Sequence, residues 1–365
     1  MYIGSGARQL AKGARVVIGL SGGVDSAVAA KKLVDQGFDV VAVFMKNWDE
    51  DDGTVLCTAD DDYKDAQSIA DQLGIKLHQA NFADEYWERV FEDFLDGYRS
   101  GITPNPDVLC NREIKFDIFI QLAEKLGAEY IATGHYAART GTDNYELHKG
   151  IDETKDQSYF LQAVPRKMLS RCLFPLALEQ KKMVRWEAKS CGFSVHSKRD
   201  STGLCFIGER HFEEFLSKYI KPNPGPIVDA STGTTIGKHR GLSYYTLGQR
   251  SRLQIGGLKY KPELPWYVLE KIRRDNALIV TQNQDALNSL SLTAQEPNWL
   301  CDRIPKKCFA KIRYRQPDQA CTVTVKNNQI IVQFESPQRA VTPGQYVALY
   351  DGTRCLGGAK IVEAS

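Results

Sequence analysis

Several features are missing from this sequence, and each absence narrows its function. No apolar run is long enough to span a bilayer, so no transmembrane helix is expected. Met1 to Ala14 holds no apolar core of signal-peptide length. Arg8, Lys12 and Arg15 precede the first acidic residue, Asp25, but the segment is short for a transit peptide and reads as a floppy N-terminus on a cytoplasmic chain. No two of the nine cysteines stand as C-x-x-C, and their number is odd. A disulfide scaffold and a zinc ribbon are therefore poor readings, and mostly buried thiols in a reducing compartment are expected. Neither charge sign dominates: 47 Lys and Arg against 45 Asp and Glu leave a formal charge of +2, which neither demands nor excludes nucleic acid. There is no internal repeat and no low-complexity tract. There is no Walker loop either, since Gly233–Lys238 is one residue short of that pattern and lacks its hydroxyl.

What is present is a 365-residue chain, 42% hydrophobic and 25% charged, long enough for two or three domains. Its first part alternates strands and helices. Strands are expected at Arg15–Leu20, Val40–Met45, Ile75–Ala80 and Tyr130–Thr133, and helices at Ser26–Gln36, Asp60–Leu73, Asp84–Tyr98 and Glu113–Leu126, with Gly37, Gly74 and Gly127 as stops. This rhythm implies an α/β fold with a doubly wound parallel sheet. Lys181–Ser190 and His211–Tyr219 add two helices. From Lys221 onward the pattern changes. KPNPGPIV reads as a turn-rich linker. Short strands then follow at Trp266–Glu270, Ala277–Val280, Phe309–Tyr314, Cys321–Val325, Gln329–Phe334, Tyr346–Tyr350 and Ala359–Val362, the pattern of a small antiparallel barrel. The expected division is a catalytic α/β domain over 1–210, a small central β module over 211–280 and a C-terminal antiparallel β-barrel over 281–365.

Ser21-Gly22-Gly23-Val24-Asp25-Ser26 lies between a strand and a helix. Gly22 and Gly23 let the backbone approach an anion, and the helix start offers N–H groups and a positive dipole end. Ser21 and Ser26 can donate to phosphate. Asp25 would repel it, so a bridging Mg²⁺ is its expected partner. An ordinary glycine turn is the plain alternative. The S-G-G-x-D-S string resembles the PP-loop of ATP pyrophosphatases, which cleave ATP to AMP and pyrophosphate. In such a fold Met45 stands where the adenine sits; read alone, it would be core.

Cys172, Cys191, Cys301, Cys308, Cys321 and Cys355 read as packing, and Cys57 lies in an acidic loop that disfavours a thiolate. Cys110 and Cys205 differ. Cys110 ends Thr103-Pro104-Asn105-Pro106-Asp107-Val108-Leu109-Cys110-Asn111, read as a proline-stiffened loop entering a helix, where a thiolate is stabilised. Cys205 lies in Asp200-Ser201-Thr202-Gly203-Leu204-Cys205-Phe206-Ile207-Gly208, a glycine-punctuated loop. On spacing alone both would be structural cysteines. Lys311–Arg315 and Lys238–Arg252, the latter with Tyr244 and Tyr245, interleave basic and aromatic residues. They could hold RNA, or form a solvated strand face.

These segments together resemble the MnmA family of tRNA-specific 2-thiouridylases. The likeness continues through ATGHYA (Ala132–Ala137), KDQSYFL (Lys155–Leu161), GLSYYTLGQR (Gly241–Arg250), KIRYRQ (Lys311–Gln316) and TPGQ (Thr342–Gln345) and covers nearly the whole chain. Ala27 departs from the pattern, since a second serine is common there. The resemblance implies that ATP meets Gly19, Leu20, Ser21, Gly22, Gly23, Val24, Asp25, Ser26, Met45 and Gly134. It implies that Cys205 carries the incoming sulfur as a persulfide and that Cys110 is its nucleophilic partner. Asn105, Pro106 and Asp107 would line the target base, the wobble uridine. Asp107 could serve as general base, orient the base, or simply cap the adjacent turn. His135, Lys155, Asp156, Gln157, Arg313, Tyr314 and Gln345 would touch tRNA. A cysteine desulfurase or sulfur-relay protein is the implied donor.

The chemistry explains the set. The uracil O2 oxygen leaves poorly until adenylation makes it an AMP ester. Sulfur must then arrive as a nucleophile, and a second thiol must resolve the bond, which leaves a disulfide to be reduced. Three rivals remain: a PP-loop enzyme forming a C–N bond, a tRNA-binding protein with an inactive nucleotide loop, and an iron–sulfur cluster held partly by Cys110 and Cys205.

Overall fold

The computed structural model describes residues 13–48, 58–141, 144–200, 212–255 and 264–365. The inner strands of its first sheet, RVVIG, DVVAVFMK and YIA, are mainly apolar, the mark of strands covered on both faces. β1 (Arg15–Gly19), β2 (Asp39–Lys46), β3 (Lys76–Asn81) and β4 (Tyr130–Ala132) follow in order. A hairpin of β5 (Ala137–Thr140) and β6 (Glu146–Lys149) precedes the two-residue β7 (Cys172–Leu173). The sheet runs β3-β2-β1-β4-β7 and every pair in it is parallel. Successive strand residues face opposite sides. Val17, Val43 and Ile131 pack with Phe116, Phe119 and Phe174 on one face. Val16, Ile18 and Ala42 pack with Val28, Leu33, Ile69 and Val184 on the other. The sheet is thus doubly wound, as expected, and the strand order reverses between β1 and β4. Ligands of such folds bind beyond the carboxyl ends of the strands at that reversal.

The helices match the expected positions with instructive shifts. Val24–Asp35 starts two residues early, directly on Gly23. Lys181–Ser190 appears as expected. The helix expected to begin at Glu113 begins instead at Pro106. Asn105 caps it by accepting a hydrogen bond from the Val108 N–H, and Pro106 occupies the first helical position, where its missing N–H costs nothing. The helix continues as a π-helical stretch, Cys110–Ile118, and ends as Phe119–Lys125. Cys110 therefore sits inside a helix, past its first turn, and not in a loop before one.

The central sheet has the order β10-β11-β8-β9, from β8 (Gly225–Asp229), β9 (Thr235–His239), β10 (Tyr267–Ile272) and β11 (Ala277–Thr281). The linker reading of KPNPGPIV holds only for Lys221–Pro224, because Gly225 onward is strand. β8 and β11 pair parallel, so this module is a mixed sheet.

Six antiparallel strands then close a barrel: β12 (Asn288–Trp299), β13 (Lys307–Lys311), β14 (Gln319–Lys326), β15 (Gln329–Arg339), β16 (Tyr346–Asp351) and β17 (Arg354–Ala364). β12 pairs with both β15 and β17, which completes the ring. β6 also adds to β17, so the hairpin from the catalytic half is welded to the barrel sheet. The long β12 gives no sequence signal because Pro297 interrupts it. The register slips between Gln295 and Asn298, and a bulge is where a strand tolerates proline. β13 ends at Lys311, and Ile312–Arg315 turns away, against the expected strand to Tyr314. Among the described residues, no helix is long and apolar enough to cross a membrane.

Candidate active site

The loop Ser21–Gly23 connects β1 to the Val24–Asp35 helix at the reversal point. Gly22 has φ +70°, and a Cβ there would lie 2.1 Å from the Asp62 carbonyl oxygen. Only glycine fits that place. The helix start has no side-chain cap, so its N–H groups face the loop. Ser26 Oγ donates to the Gly23 carbonyl (3.0 Å), accepts from the Ser21 N–H (3.2 Å) and lies 3.2 Å from Ser21 Oγ. Gly134, just beyond β4, closes on the same helix start. A Cβ there would sit 2.9 Å from the Ser26 nitrogen and 3.0 Å from the Asp25 carbonyl carbon. Met45 covers Gly19, its Cε 2.9 Å from where a Cβ would stand. Residues 19–26, Met45 and Gly134 are thus one cradle, formed by two strand ends and a helix start.

Asp25 has protein partners that the sequence did not announce. Both its oxygens lie 2.7 Å from Lys181 Nζ, and Oδ1 accepts the Tyr136 hydroxyl at 2.8 Å. Burial and the neighbouring Asp25 carboxylate push the Tyr136 phenol far up, so it stays a donor. Lys181 also meets Asp200 Oδ1 at 2.8 Å. Asp200 further accepts from Lys155 (2.7 Å) and Arg185 (2.6 Å). Burial works against its charge, but bonds from Lys155 and Lys181 prevail and hold its pKa down to about 2. On the other side of the loop, Lys198 donates to the Gly22 carbonyl (3.0 Å), Asp62 (2.6 Å) and Asp65 (2.5 Å).

Cys110 is buried. Its helix reaches the cradle, because Phe119 lies 3.7 Å from a Cβ built on Gly19. Cys110 lies nine residues before Phe119, at the far end of the π-helical stretch. Asn105 donates to Gln345 Oε1 at 3.1 Å, and Gln345 Nε2 donates to the carbonyls of Thr103 (2.8 Å) and Pro104 (3.2 Å). A barrel residue thus braces the Asn105–Pro106–Asp107 turn. Asp107 is half-buried, and its carbonyl accepts from Asn111. Cys205 and Cys57 lie outside the described residues. Cys172, Cys301, Cys308, Cys321 and Cys355 are buried packing residues. Burial raises the thiol pKa of Cys172, and that of Cys355 to about 12.

The residues expected to meet tRNA separate into two groups. His135 and Asp156 are buried. His135 lies between the rings of Phe116 and Phe174, its Nδ1 2.8 Å from Thr133 Oγ1, and burial keeps it neutral. Asp156 accepts from Gly150 N, Ser158 N and Ser158 Oγ. Gln157 exchanges bonds with Tyr136, its side chain accepting from the Tyr136 N–H and its own N–H donating to the Tyr136 carbonyl. Lys155, Arg313, Tyr314 and Gln345 keep part of their surface open. Tyr314 donates to the Lys155 carbonyl, and Arg313 donates to the carbonyls of Arg339 and Ala340. Of the basic–aromatic stretches, Tyr244 and Tyr245 are core residues, Lys311 is buried near Asp156 and Asp318, and Arg240 and Arg252 both pair with Glu213.

Lys181, Tyr136, Asp200 and Lys198 had no assigned role in the sequence reading. One signal did exist. Lys181 shares the buried stripe of its helix with Val184 and Ala188, and a lysine there needs a partner.

Three family descriptions match in sequence order: tRNA methyl transferase HUP domain at 14–209, tRNA methyl transferase PRC-barrel domain at 213–282 and aminomethyltransferase beta-barrel domain at 289–361. Among solved structures, a 4-thiouridine synthetase–RNA complex with bound ATP is 20% identical, with a TM-score of 0.36, 56% of this chain covered and 50% of that one. That is too distant to carry weight. The tRNA-specific 2-thiouridylase MnmA of Hahella chejuensis is 54% identical over 95% of this chain and 97% of its own. Those of Alcanivorax borkumensis and Marinobacter nauticus are each 52% identical, over 96% and 95% of this chain and 98% and 91% of theirs. Over this length and at this identity, the chain belongs to the MnmA family of tRNA-specific 2-thiouridylases.

Proposed function

We propose that the protein thiolates the wobble uridine of tRNA at position 2, with ATP as activator and Cys110 and Cys205 as the sulfur-handling pair. Uracil O2 attacks the α-phosphate of ATP, and pyrophosphate leaves. The terminal sulfur of a Cys205 persulfide then attacks C2, and AMP leaves. Cys110 attacks the Cys205 sulfur, which frees the thiouracil and leaves a Cys110–Cys205 disulfide for an external dithiol to reduce. In the variant route Cys110 attacks the persulfide first and releases sulfide inside the pocket.

The observation that carries this reading is the junction of two parts. The glycine-walled cradle with its helix start suits a triphosphate. The helix holding Cys110 packs against that cradle. Asn105, Pro106 and Asp107 fit as the wall of the base pocket, and a base that reacts this way must leave its stack. Lys155, Arg313 and Tyr314 keep open surface for the tRNA, the buried His135 and Asp156 serve it from within by fixing the wall, and the half-buried Gln157 is held by Tyr136. Asp25 is the loop's one carboxylate, and Mg²⁺ commonly takes one or two carboxylates plus phosphate oxygens. Asp25 therefore suits a Mg²⁺ arriving with ATP, which would offset phosphate charge. We place the reaction in the cytoplasm, with a persulfide-carrying protein as donor. The functional division is 1–210 for chemistry, 211–280 for tRNA contact and 281–365 for the barrel brace.

The test is thiouridine formation by purified protein with each cysteine singly replaced by Ser. Cys205→Ser and Cys110→Ser should each make none. Full thiouridine from Cys205→Ser with a persulfide donor would sink the scheme. Activity that survives thiol alkylation would favour a C–N bond-forming reaction.

A further inference from the structure

One carboxylate, Asp200, joins the nucleotide cradle to the Lys155 strip and precedes Cys205 in the sequence. Asp200 gathers Lys155, Lys181 and Arg185 within 2.8 Å. Each cation comes from a different functional context. Lys181 is shared with Asp25 of the cradle, at 2.7 Å from both its oxygens. Lys155 belongs to the strip that also receives the Tyr314 hydroxyl. Arg185 donates to the carbonyls of His196 and Lys198 at 2.9 Å each, fixing the chain just before Asp200. Lys198, two residues upstream, is bonded to the Gly22 carbonyl on the cradle's other side. The residues leading to position 200 are thus strapped to the nucleotide loop at two points.

Cys205 follows Asp200 by five residues. Five residues reach at most about 18 Å, so the anchor at Asp200 limits where that thiol can go. We propose that Asp200 is a positioning residue for sulfur transfer: it ties the base of the Cys205 segment to the nucleotide cradle through Lys181 and to the tRNA-facing strip through Lys155. This rests on the thiolation reading above. Loss of the carboxylate leaves the cradle its own pair, since Lys181 and Tyr136 still hold Asp25. It removes the common anchor from the sulfur-bearing segment. Activation and sulfur delivery should then separate.

The experiment follows pyrophosphate and thiouridine in one turnover, with the full chain in excess over unmodified tRNA and with ATP, Mg²⁺ and glutathione persulfide present, so that no reductant is needed to reopen the disulfide. In the parent protein both products should rise together. Asp200→Asn should keep pyrophosphate release within about twofold while thiouridine per pyrophosphate falls at least about tenfold, the scale expected when a distant change misplaces a reacting group. Asp200→Glu should recover most of the ratio. Lys181→Met, which removes the cradle's cation and one of the two ties to Asp200, should lower pyrophosphate release and the ratio together. An unchanged ratio in Asp200→Asn, whether both products fall or neither does, overturns the assignment. A parent protein that releases pyrophosphate but makes no thiouridine would instead overturn the thiolation reading.

Discussion

Replacing Lys181 by Met tests whether the cradle draws its positive charge from outside its own sequence. The loop Ser21–Ser26 contains no cation, and it contains a carboxylate that repels phosphate. The side chain of Lys181 is 10% exposed and that of Asp25 33%. At 2.7 Å the pair attracts by about 1.5 kcal/mol with the dielectric of water and about 6 kcal/mol at an effective value of 20. A carboxylate one-third open to solvent sits toward the lower bound, so about 2 kcal/mol is a fair figure. Met fills a similar volume and leaves Asp25 with Tyr136 alone. A phosphate chain entering the loop then meets an unneutralised carboxylate, and affinity should fall about 30-fold at 1.4 kcal/mol per factor of ten. Calorimetric titration with a non-hydrolysable ATP analogue measures this directly. The loss should shrink from ATP to AMP to adenosine, because it scales with ligand charge, and added salt should reduce it. Equal loss for adenosine and ATP would mean a collapsed pocket and not a missing charge. Unchanged ATP affinity would refute the electrostatic role of Lys181 outright.

The remaining predictions concern other parts of the site. Gly134→Ala forces a Cβ to 2.9 Å from the Ser26 nitrogen, so the helix start must shift. Pyrophosphate release should fall about 100-fold while the melting temperature moves little. Gln345→Ala removes the brace on Thr103, Pro104 and Asn105. Amide exchange over 103–109 should quicken and the apparent KM for tRNA should rise, with ATP affinity unchanged. His135 is buried neutral, its pKa depressed well below 6.5 by burial and then by Lys115. The unfolded chain therefore binds the extra proton first as pH falls. Stability should be level above about pH 6.5 and drop below it by up to about 1.4 kcal/mol per pH unit for this group. Urea unfolding at pH 7.5 and 5.5 measures the drop, and His135→Asn should lessen it. A His135→Asn variant with the same pH slope as the parent would refute that role.

The legible parts of the molecule were those whose signal is local. The alternation of VVIG, VVAVFM and their helices fixed a parallel sheet because each element carries its own period. The S-G-G-x-D-S string placed the cradle because backbone approach requires glycine at Gly22 whatever surrounds it. The signals that failed were non-local or masked by proline. Pro104 and Pro106 read as loop, yet Pro106 opens a helix because Asn105 caps it. Pro297 hid a twelve-residue strand that tolerates it at a bulge. The β5–β6 hairpin found its place only by pairing with β17, some two hundred residues away.

The same limit explains why the lysine beside Asp25 was not foreseen. Its ammonium comes from a helix 156 residues later, and nothing near Asp25 announces it. The clue lay at the other end, in a lysine on the buried stripe of its own helix. A charge in an apolar position has to be matched by an opposite charge or a set of acceptors, or the fold loses several kcal/mol. Asp25 and Asp200 are that match. A loop proposed to hold phosphate yet containing a carboxylate, and a helix that buries a lysine, each pose a problem that the other solves. The ion network around Asp25 follows from those two needs together, and neither alone would have shown it.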